Sequence, residues 1–234
     1  MSERVLYDLV ASQPGQRFSP FCFRVKLALA HKDLDYRSEL VRFTEKPKIA
    51  FSNQPLVPVL VEADGTVISD SFRIMQELET RYPHAPLITP GDRSLGFVRA
   101  WTDRSLLFAV FKVVAPKIHD VLEGADKAYF QSSREQRLGT TLAALAEDEG
   151  KYRAVLNTTV EPLRGLLAAQ PCVSGEQVGA ADALVLACVL WAEGVLAGPV
   201  FPADDPISAW RERMAPWVDQ TLAMAGQPDP CAAA

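Results

Sequence analysis

The stretch FSPFCFRVKLALAHK, residues 18–32, combines a helix start with two residues that can take part in thiol chemistry. Ser19 followed by Pro20 is typical of a helix N-terminus, because serine caps well and proline is tolerated at the first helical position. Backbone N–H groups and the helix dipole favour an anion there, including a thiolate. Cys22 lies one turn further in, where a cysteine commonly packs as a small hydrophobe. The stretch alone leaves open whether Ser19 or Cys22 does chemistry.

The composition of the 234-residue chain predicts a soluble protein with a sizeable core, since 48% of its residues are hydrophobic. Its net charge is −5, with acidic and basic residues interspersed, which argues against nucleic-acid binding. No secretory signal pattern and no run of about 18 apolar residues is present, so we expect a cytoplasmic protein that does not enter a membrane. The cysteines and histidines are scattered without the spacing of a metal site, so we expect no metal.

The C-terminal sequence PDPCAAA superficially fits a prenylation signal at Cys231. No polybasic segment precedes it, and we interpret residues 228–234 as a flexible tail.

Strand and helix patterns alternate in residues 1–82. The order is a strand (5–10), a helix (20–32) with Phe21 on its apolar face, a strand (34–41), a hairpin (57–69) and a helix (71–82). Asp64-Gly65 is the turn signal of that hairpin. A short segment separates the second strand from the hairpin. We therefore predict an α/β domain of the order βαβ-α-ββα, followed by a proline-rich linker at 83–92.

Helical patterns dominate residues 93–227, which we predict to form an all-α domain. The predicted helical stretches are 93–122, 132–170, 179–197 and 206–225, with breaks at Pro116, at 171–177 and at 198–206.

Two further motifs complement Ser19. Val57-Pro58 precedes a strand, and a cis bond there would leave the Val57 backbone free to pair with a bound peptide. At Asp70-Ser71 a helix begins whose N–H groups and hydroxyl can bind a carboxylate, while Asp70 can bind an ammonium group. Together these motifs offer a thiolate site, a backbone clamp and an α-amino-acid site, which suit the tripeptide γ-Glu-Cys-Gly.

In order and spacing, these motifs resemble those of the cytosolic glutathione transferases of the serine type. SPFCFRVKLALAHK, LVPVLV and SDSFRIMQEL carry the resemblance, which covers essentially the whole chain. LYDL, HK and RFTEKPKIAFSNQ are similar to bacterial glutathione-dependent β-aryl-etherases. The resemblance implies a thioredoxin-like N-terminal domain, an all-helical bundle after it, glutathione as co-substrate and a homodimer.

The resemblance also implies roles for individual residues. Ser19 would bind the glutathione sulfur, Val57 would pair with the cysteinyl backbone beside a cis Pro58, and Asp70 and Ser71 would hold the γ-glutamyl end. Lys46 and Gln54 are the candidates for the glycyl carboxylate. The second substrate would be a small electrophilic molecule. The candidates for lining its pocket are Phe18, Trp101, Phe108 and Phe111.

One departure from the family pattern lies in the second domain. The family usually begins its central helix with a hydroxyl residue three positions before an aspartate, whereas this chain has Gly179 before Asp182. Glycine caps a helix only slightly less well, so we expect Asp182 to be structural.

The predicted activity is transfer of glutathione to an electrophilic, apolar or aromatic substrate. Cleavage of an aryl ether is one reaction of this kind. The alternatives are a thiol–disulfide reductase or peroxidase that uses Cys22, an isomerase, and a non-catalytic glutathione-binding module.

Overall fold

The structure is a computed structural model that describes residues 3–89 and 91–227. The predicted tail at 228–234, with Cys231, lies outside these residues. The strands are β1 (Val5–Leu9), β2 (Arg37–Val41), β3 (Val59–Val61) and β4 (Val67–Ser69). The helices are α1 (Pro20–His31), α2 (Ser71–Arg81), α3 (Leu95–Trp101), α4 (Leu107–Val121), α5 (Gly124–Leu138), α6 (Leu142–Glu147), α7 (Glu149–Ala169), α8 (Ala180–Leu196), α9 (Pro206–Arg213) and α10 (Ala215–Ala225).

The strands form one mixed sheet in the order β2-β1-β3-β4. Strand β1 runs parallel to β2, with Tyr7 opposite Glu39, and antiparallel to β3, with Tyr7 opposite Val59. The β3–β4 turn needs Gly65, whose φ of +86° suits glycine. A 3₁₀ helix, Lys46–Ser52, is the short segment between β2 and β3. The predicted fold class, a thioredoxin-like α/β unit followed by an all-helical unit, is confirmed.

Helix α1 is buried almost all round rather than along one stripe. The pattern placed Phe21 on the apolar face, but Phe21 is 38% exposed, whereas Arg24 and Lys26 are buried. The reason is that α2, α8 and α10 all pack against α1. Lys26 is tolerated inside because its Nζ lies 3.0 Å from Asp8 Oδ2.

Pro116 lies inside α4, so the predicted break there is wrong. Helix α3, a π-helical turn at Thr102–Leu106 and α4 follow one another without interruption from residue 95 to 121. Apolar side chains of α4 are buried on both sides of the proline, among them Val114 and Ile118. Tertiary packing thus outweighs the backbone hydrogen bond that proline cannot make.

The predicted helix at 132–170 is three shorter helices, α5 to α7, and α5 already begins at Gly124. Gly139, with φ +66°, ends α5. Thr141 then caps α6 by accepting a hydrogen bond from the Ala144 N–H at 3.1 Å. The predicted helix at 206–225 likewise divides at Met214. These breaks depend on single caps, which a long apolar periodicity conceals.

Asp182 anchors the beginning of α8, as its predicted structural role requires. Its carboxylate accepts hydrogen bonds from the backbone N–H groups of Val173, Ser174 and Gly179, and from Trp210 Nε1. These bonds join the preceding loop and α9 to α8. Within the described residues, no helix has both the length and the apolar character needed to cross a membrane.

Candidate active site

A cavity of about 260 Å³ opens beside the N-terminus of α1, between the α/β unit and the helical unit. Its walls come from the start of α1, from residues 41–57, from α4 and α5, and from α8. The predicted site residues that line it are Phe18, Ser19, Lys46, Val57 and Phe111. The structure therefore brings together on one cavity residues from both halves of the chain.

Ser19 is the N-cap of α1 and is 5% exposed. Its extended backbone, with φ −87° and ψ 119°, aims the side chain at the first turn, and Oγ accepts the Cys22 N–H at 3.3 Å. A hydroxyl that accepts this bond still has its own proton to donate. Ser19 can therefore donate to a sulfur anion at a helix end whose dipole favours that anion.

Cys22 is fully buried and does not line the cavity. Burial raises the pKa of its thiol far above the usual range, and the negative charge of Asp8 adds to this effect. The thiol therefore stays protonated at neutral pH and is a poor nucleophile.

The Val57–Pro58 peptide bond is cis, as the sequence motif predicts. Val57 lines the cavity, and neither its N–H nor its C=O makes a hydrogen bond to the residues that the structure describes. Pro58 is buried at the entry to β3. The Val57 backbone thus presents one donor and one acceptor to a ligand.

Asp70 caps α2 with a backbone φ of +70° and ψ of 122°, a strained conformation outside the left-handed helical region. Its Oδ1 accepts the N–H groups of Phe72 at 3.1 Å and Arg73 at 3.0 Å. Among the described residues, Oδ2 has no hydrogen-bond partner. Ser71 is buried, and neither Asp70 nor Ser71 lines the cavity.

Lys46 and Gln54, the candidates for the glycyl carboxylate, differ in their surroundings. Lys46 lines the cavity, with Nζ 4.7 Å from the centre of the Tyr129 ring. The Gln54 side chain bonds within its own loop, accepting the Leu56 N–H at 2.9 Å and donating to the Leu56 carbonyl. Gln54 does not line the cavity, so the geometry favours Lys46.

The aromatic wall of the cavity is only partly the predicted one. Phe18 and Phe111 line the cavity, whereas Trp101 and Phe108 do not. The Phe111 ring stacks on Trp191 of α8 at a centroid distance of 6.0 Å.

Several lining residues were missed by sequence reasoning. They are Arg42, Phe43, Tyr129, Phe130, Arg134, Arg137 and Trp191. A signal was present in α5, where Phe130, Arg134 and Arg137 recur at helical spacing. Within the part of the chain that the structure describes, no three His, Cys, Asp or Glu side chains group as metal ligands would.

The chain matches two protein-family models. The model of the glutathione S-transferase N-terminal domain matches residues 18–81, and that of the glutathione S-transferase C-terminal domain matches residues 96–219.

Curated relatives carry the same family name. The chain is 36% identical to glutathione S-transferase DHAR2 of Arabidopsis thaliana over 112 residues, 47% of this chain and 48% of that protein. It is 31% identical to the probable cytosolic glutathione S-transferase DHAR1 of rice, Oryza sativa subsp. japonica, over 70% of this chain and 62% of that protein. The alignments thus span less than two thirds of these relatives.

Solved structures share the fold at lower identity. Glutathione transferase GSTFuA3 from Phanerochaete chrysosporium is 22% identical, with a TM-score of 0.78 over 96% of this chain and 98% of that one. The glutathione S-transferase CsGST63524 of Ceriporiopsis subvermispora, in complex with glutathione, is 18% identical, with a TM-score of 0.79 over 94% and 98% of the two chains.

Proposed function

Because the chain belongs to the glutathione S-transferase family, we propose that it is a glutathione-dependent transferase of the serine type. In this proposal the glutathione sulfur binds at Ser19, and an apolar or aromatic electrophile occupies the adjoining cavity. The observation that carries the proposal is the position of Ser19, a helix-capping hydroxyl on the wall of an aromatic cavity.

The proposed reaction begins with loss of the proton from the glutathione thiol to solvent water. The Ser19 O–H and the positive end of α1 stabilise the thiolate. Its sulfur forms a C–S bond with an electrophilic carbon while the leaving group departs with its bonding electron pair. In an aryl ether the leaving group is a phenolate, which then takes up a proton. Thiol ionisation and proximity of the two bound molecules supply the acceleration.

The remaining contacts of glutathione follow from the groups left unpaired. The Val57 N–H and C=O would pair with the cysteinyl backbone next to the cis Pro58. The ammonium group of the γ-glutamyl residue would bind Oδ2 of Asp70, and the α-carboxylate of the same γ-glutamyl residue would bind at Ser71. Lys46 would bind the glycyl carboxylate from the cavity wall. Each contact matches one charged or polar group of the tripeptide.

The alternative of a thiol–disulfide reductase that uses Cys22 receives less support. The Cys22 thiol is fully buried and its pKa is raised, so the thiol would have to be exposed and deprotonated before it could attack. A non-catalytic module would not need a cavity beside the sulfur site. We also propose a cytoplasmic location and a homodimer, in keeping with the family and with the rice relative named as cytosolic.

Exchange of Ser19 for alanine tests the proposed function. With glutathione and 1-chloro-2,4-dinitrobenzene, we expect kcat/KM of Ser19→Ala to fall about 10- to 100-fold, the scale of one hydrogen bond to a charged group. The pKa of the bound glutathione thiol, followed by thiolate absorbance, should rise. Cys22→Ala is the matched control and should retain activity. Full activity in Ser19→Ala, or loss confined to Cys22→Ala, would contradict the proposal.

A further inference from the structure

The cavity carries an excess of positive charge in an acidic protein. Its lining includes Arg42, Lys46, Arg134 and Arg137, and no aspartate or glutamate among the described residues. The whole chain, by contrast, has a net charge of −5. A low-dielectric cleft lined by one sign of charge attracts ligands of the opposite sign.

These cationic side chains lack the carboxylate partners that comparable ones have elsewhere, although Arg42 donates to the Ser12 carbonyl at 3.3 Å. Among the described residues, none of them has a carboxylate oxygen within 4.0 Å. On α7, in contrast, Arg153 pairs with Glu149 at 2.7 Å and Arg164 with Asp205 at 2.8 Å. The charges on the cavity wall are therefore left for a ligand to neutralise.

The Arg134 guanidinium packs against two aromatic rings that also contact each other. Its guanidinium carbon lies 5.0 Å from the centre of the Phe130 ring and 5.6 Å from that of Phe43, and the two rings are 5.5 Å apart. The guanidinium donates to Ser133 Oγ at 3.1 Å. Burial lowers the pKa of Arg134, and the positive charge of Arg137 contributes to this shift. An anion between the two guanidinium groups would remove this penalty.

Arg137 follows Arg134 by three residues and so lies on the same face of α5. Its guanidinium carbon is 5.5 Å from the centre of the Phe108 ring, and the side chain is exposed at the edge of the cavity. Helix α5 thus presents two guanidinium groups next to the aromatic wall. Arginine pairs of this kind suit oxyanions, planar carboxylates and tetrahedral groups alike, because each guanidinium offers several fixed donors.

The α5 pair lies on a different element from the groups assigned to glutathione. Lys46 comes from the segment that follows β2, and Ser71 from the start of α2, outside the cavity lining. With the carboxylates of glutathione assigned to these two positions, Arg134 and Arg137 remain for the second molecule.

We propose that the cavity selects an anionic aromatic molecule as the second substrate, with its carboxylate or sulfonate at Arg134 and Arg137. Its ring packs on Phe43, Phe111 and Phe130. The term substrate rests on the proposed transferase function, whereas the preference for an anionic aromatic ligand is independent of turnover.

Two fluorescent probes that differ only in an anionic group test this preference on the full chain, with glutathione present. They are 8-anilinonaphthalene-1-sulfonate and N-phenyl-1-naphthylamine, which lacks the sulfonate. In the double variant R134Q/R137Q the Kd of the sulfonate should rise about tenfold or more, the scale of one charged hydrogen bond. The Kd of the neutral probe should change far less, since only the packing of Arg134 on Phe43 and Phe130 is lost. Arg153→Gln, on α7 and outside the cavity, is the matched control and should alter neither.

Three results would overturn the inference. Equal weakening of both probes would mean that the arginines only shape the cavity, and unchanged sulfonate binding would place the anion elsewhere. Weaker glutathione binding in R134Q/R137Q, with the probe preference intact, would assign the pair to glutathione. If the double variant does not fold, Arg137→Gln alone, at an exposed position, should show the same selective loss in smaller measure. Absence of turnover with 1-chloro-2,4-dinitrobenzene would remove the transferase function but not the probe preference.

Discussion

Ser19 lies on the cavity wall, and Cys22, one turn along α1, lies wholly inside the protein. Ser19 is the helix cap, where a hydroxyl can reach the cavity, whereas Cys22 lies within the first turn and is covered on all sides. Desolvation keeps the inner thiol protonated, whereas the capping hydroxyl can meet a ligand. Residue type alone would favour the cysteine as the reactive group. The surroundings of each side chain favour the serine.

Gly179 shows a second effect at the scale of one residue. A Cβ added there would lie 2.6 Å from Ser174 Oγ and 2.8 Å from Ser174 Cβ. The backbone is extended, with φ −151°, so the glycine is required by space and not by an unusual φ. The side chain of Ser174 thus lies where a hydroxyl residue at the helix cap would need room.

We predict that Gly179→Ala lowers the free energy of unfolding by about 1–3 kcal/mol, the usual cost of overpacking a filled site. Urea unfolding measures it. Ser174→Gly in the same chain should recover part of the loss, because it removes the atoms that clash. Gly165→Ala, within α7 and with no atom within 4 Å of the added Cβ, is the control and should stabilise by about 0.5–1 kcal/mol. Equal effects of the two alanines would refute the steric explanation.

At the scale of elements, the proposed function gives the N-terminus of α2 two tasks, folding and glutathione binding, for one side chain. Asp70 caps the helix through Oδ1, while its other oxygen remains for a ligand ammonium group. Its φ of +70° is the kind of backbone strain that persists where function requires it. Glycine at this position would relieve the strain and still allow the helix to begin.

Two substitutions at Asp70 should separate these roles. Asp70→Ala should lower the free energy of unfolding by about 1 kcal/mol, and Asp70→Gly by only a few tenths. Both should weaken glutathione binding, measured by isothermal titration calorimetry, because both lose the carboxylate. Thr141→Ala removes the cap of α6 and should cost stability without affecting glutathione. If the Asp70→Gly variant binds glutathione as tightly as the unaltered protein, Asp70 only caps the helix and does not bind the ligand.

At the scale of the whole molecule, α1 joins the two halves of the chain. Helices α8 and α10 pack against it, and Trp217 Nε1 of α10 donates to the Leu27 carbonyl of α1 at 2.9 Å. The Arg24–Asp103 pair, at 2.6 Å, adds a link to the helical unit. Because the core of the first unit depends on helices of the second, neither half should unfold alone.

We therefore predict a single calorimetric unfolding transition in place of two separate ones. Trp217→Phe should lower the Tm of that whole transition, at a cost of about 1–3 kcal/mol, since it removes a buried hydrogen bond and part of a ring. Trp101→Phe is the control: its side chain is only partly buried and makes no hydrogen bond to the described residues, so its Tm should change less. Two resolved transitions would contradict this coupling.

The sequence by itself determined the elements that depend on short-range signals. The Ser-Pro start of α1, the Asp-Gly turn between β3 and β4, and the Asp-Ser start of α2 are each encoded by a few neighbouring residues, and the structure has them at those positions. Their physics is local: a cap, a fixed proline φ or a glycine turn acts within one helical turn. For this reason the order of an α/β unit and a helical unit followed from the residues, while the thioredoxin-like arrangement was implied by the family resemblance.

Only the tertiary structure decided which side chains share a surface. Trp191, Phe43 and Phe130 come from distant segments and meet at the cavity, whereas Trp101 and Phe108, aromatic at helical spacing, do not line it. Pro116 continues a helix and Lys26 is buried because neighbouring elements compensate for each. Periodicity shows which face of a helix is packed, but not which distant segment packs against it. The charge of the cavity wall, on which the choice of second substrate rests, therefore emerges only when α5 folds against the segment after β2.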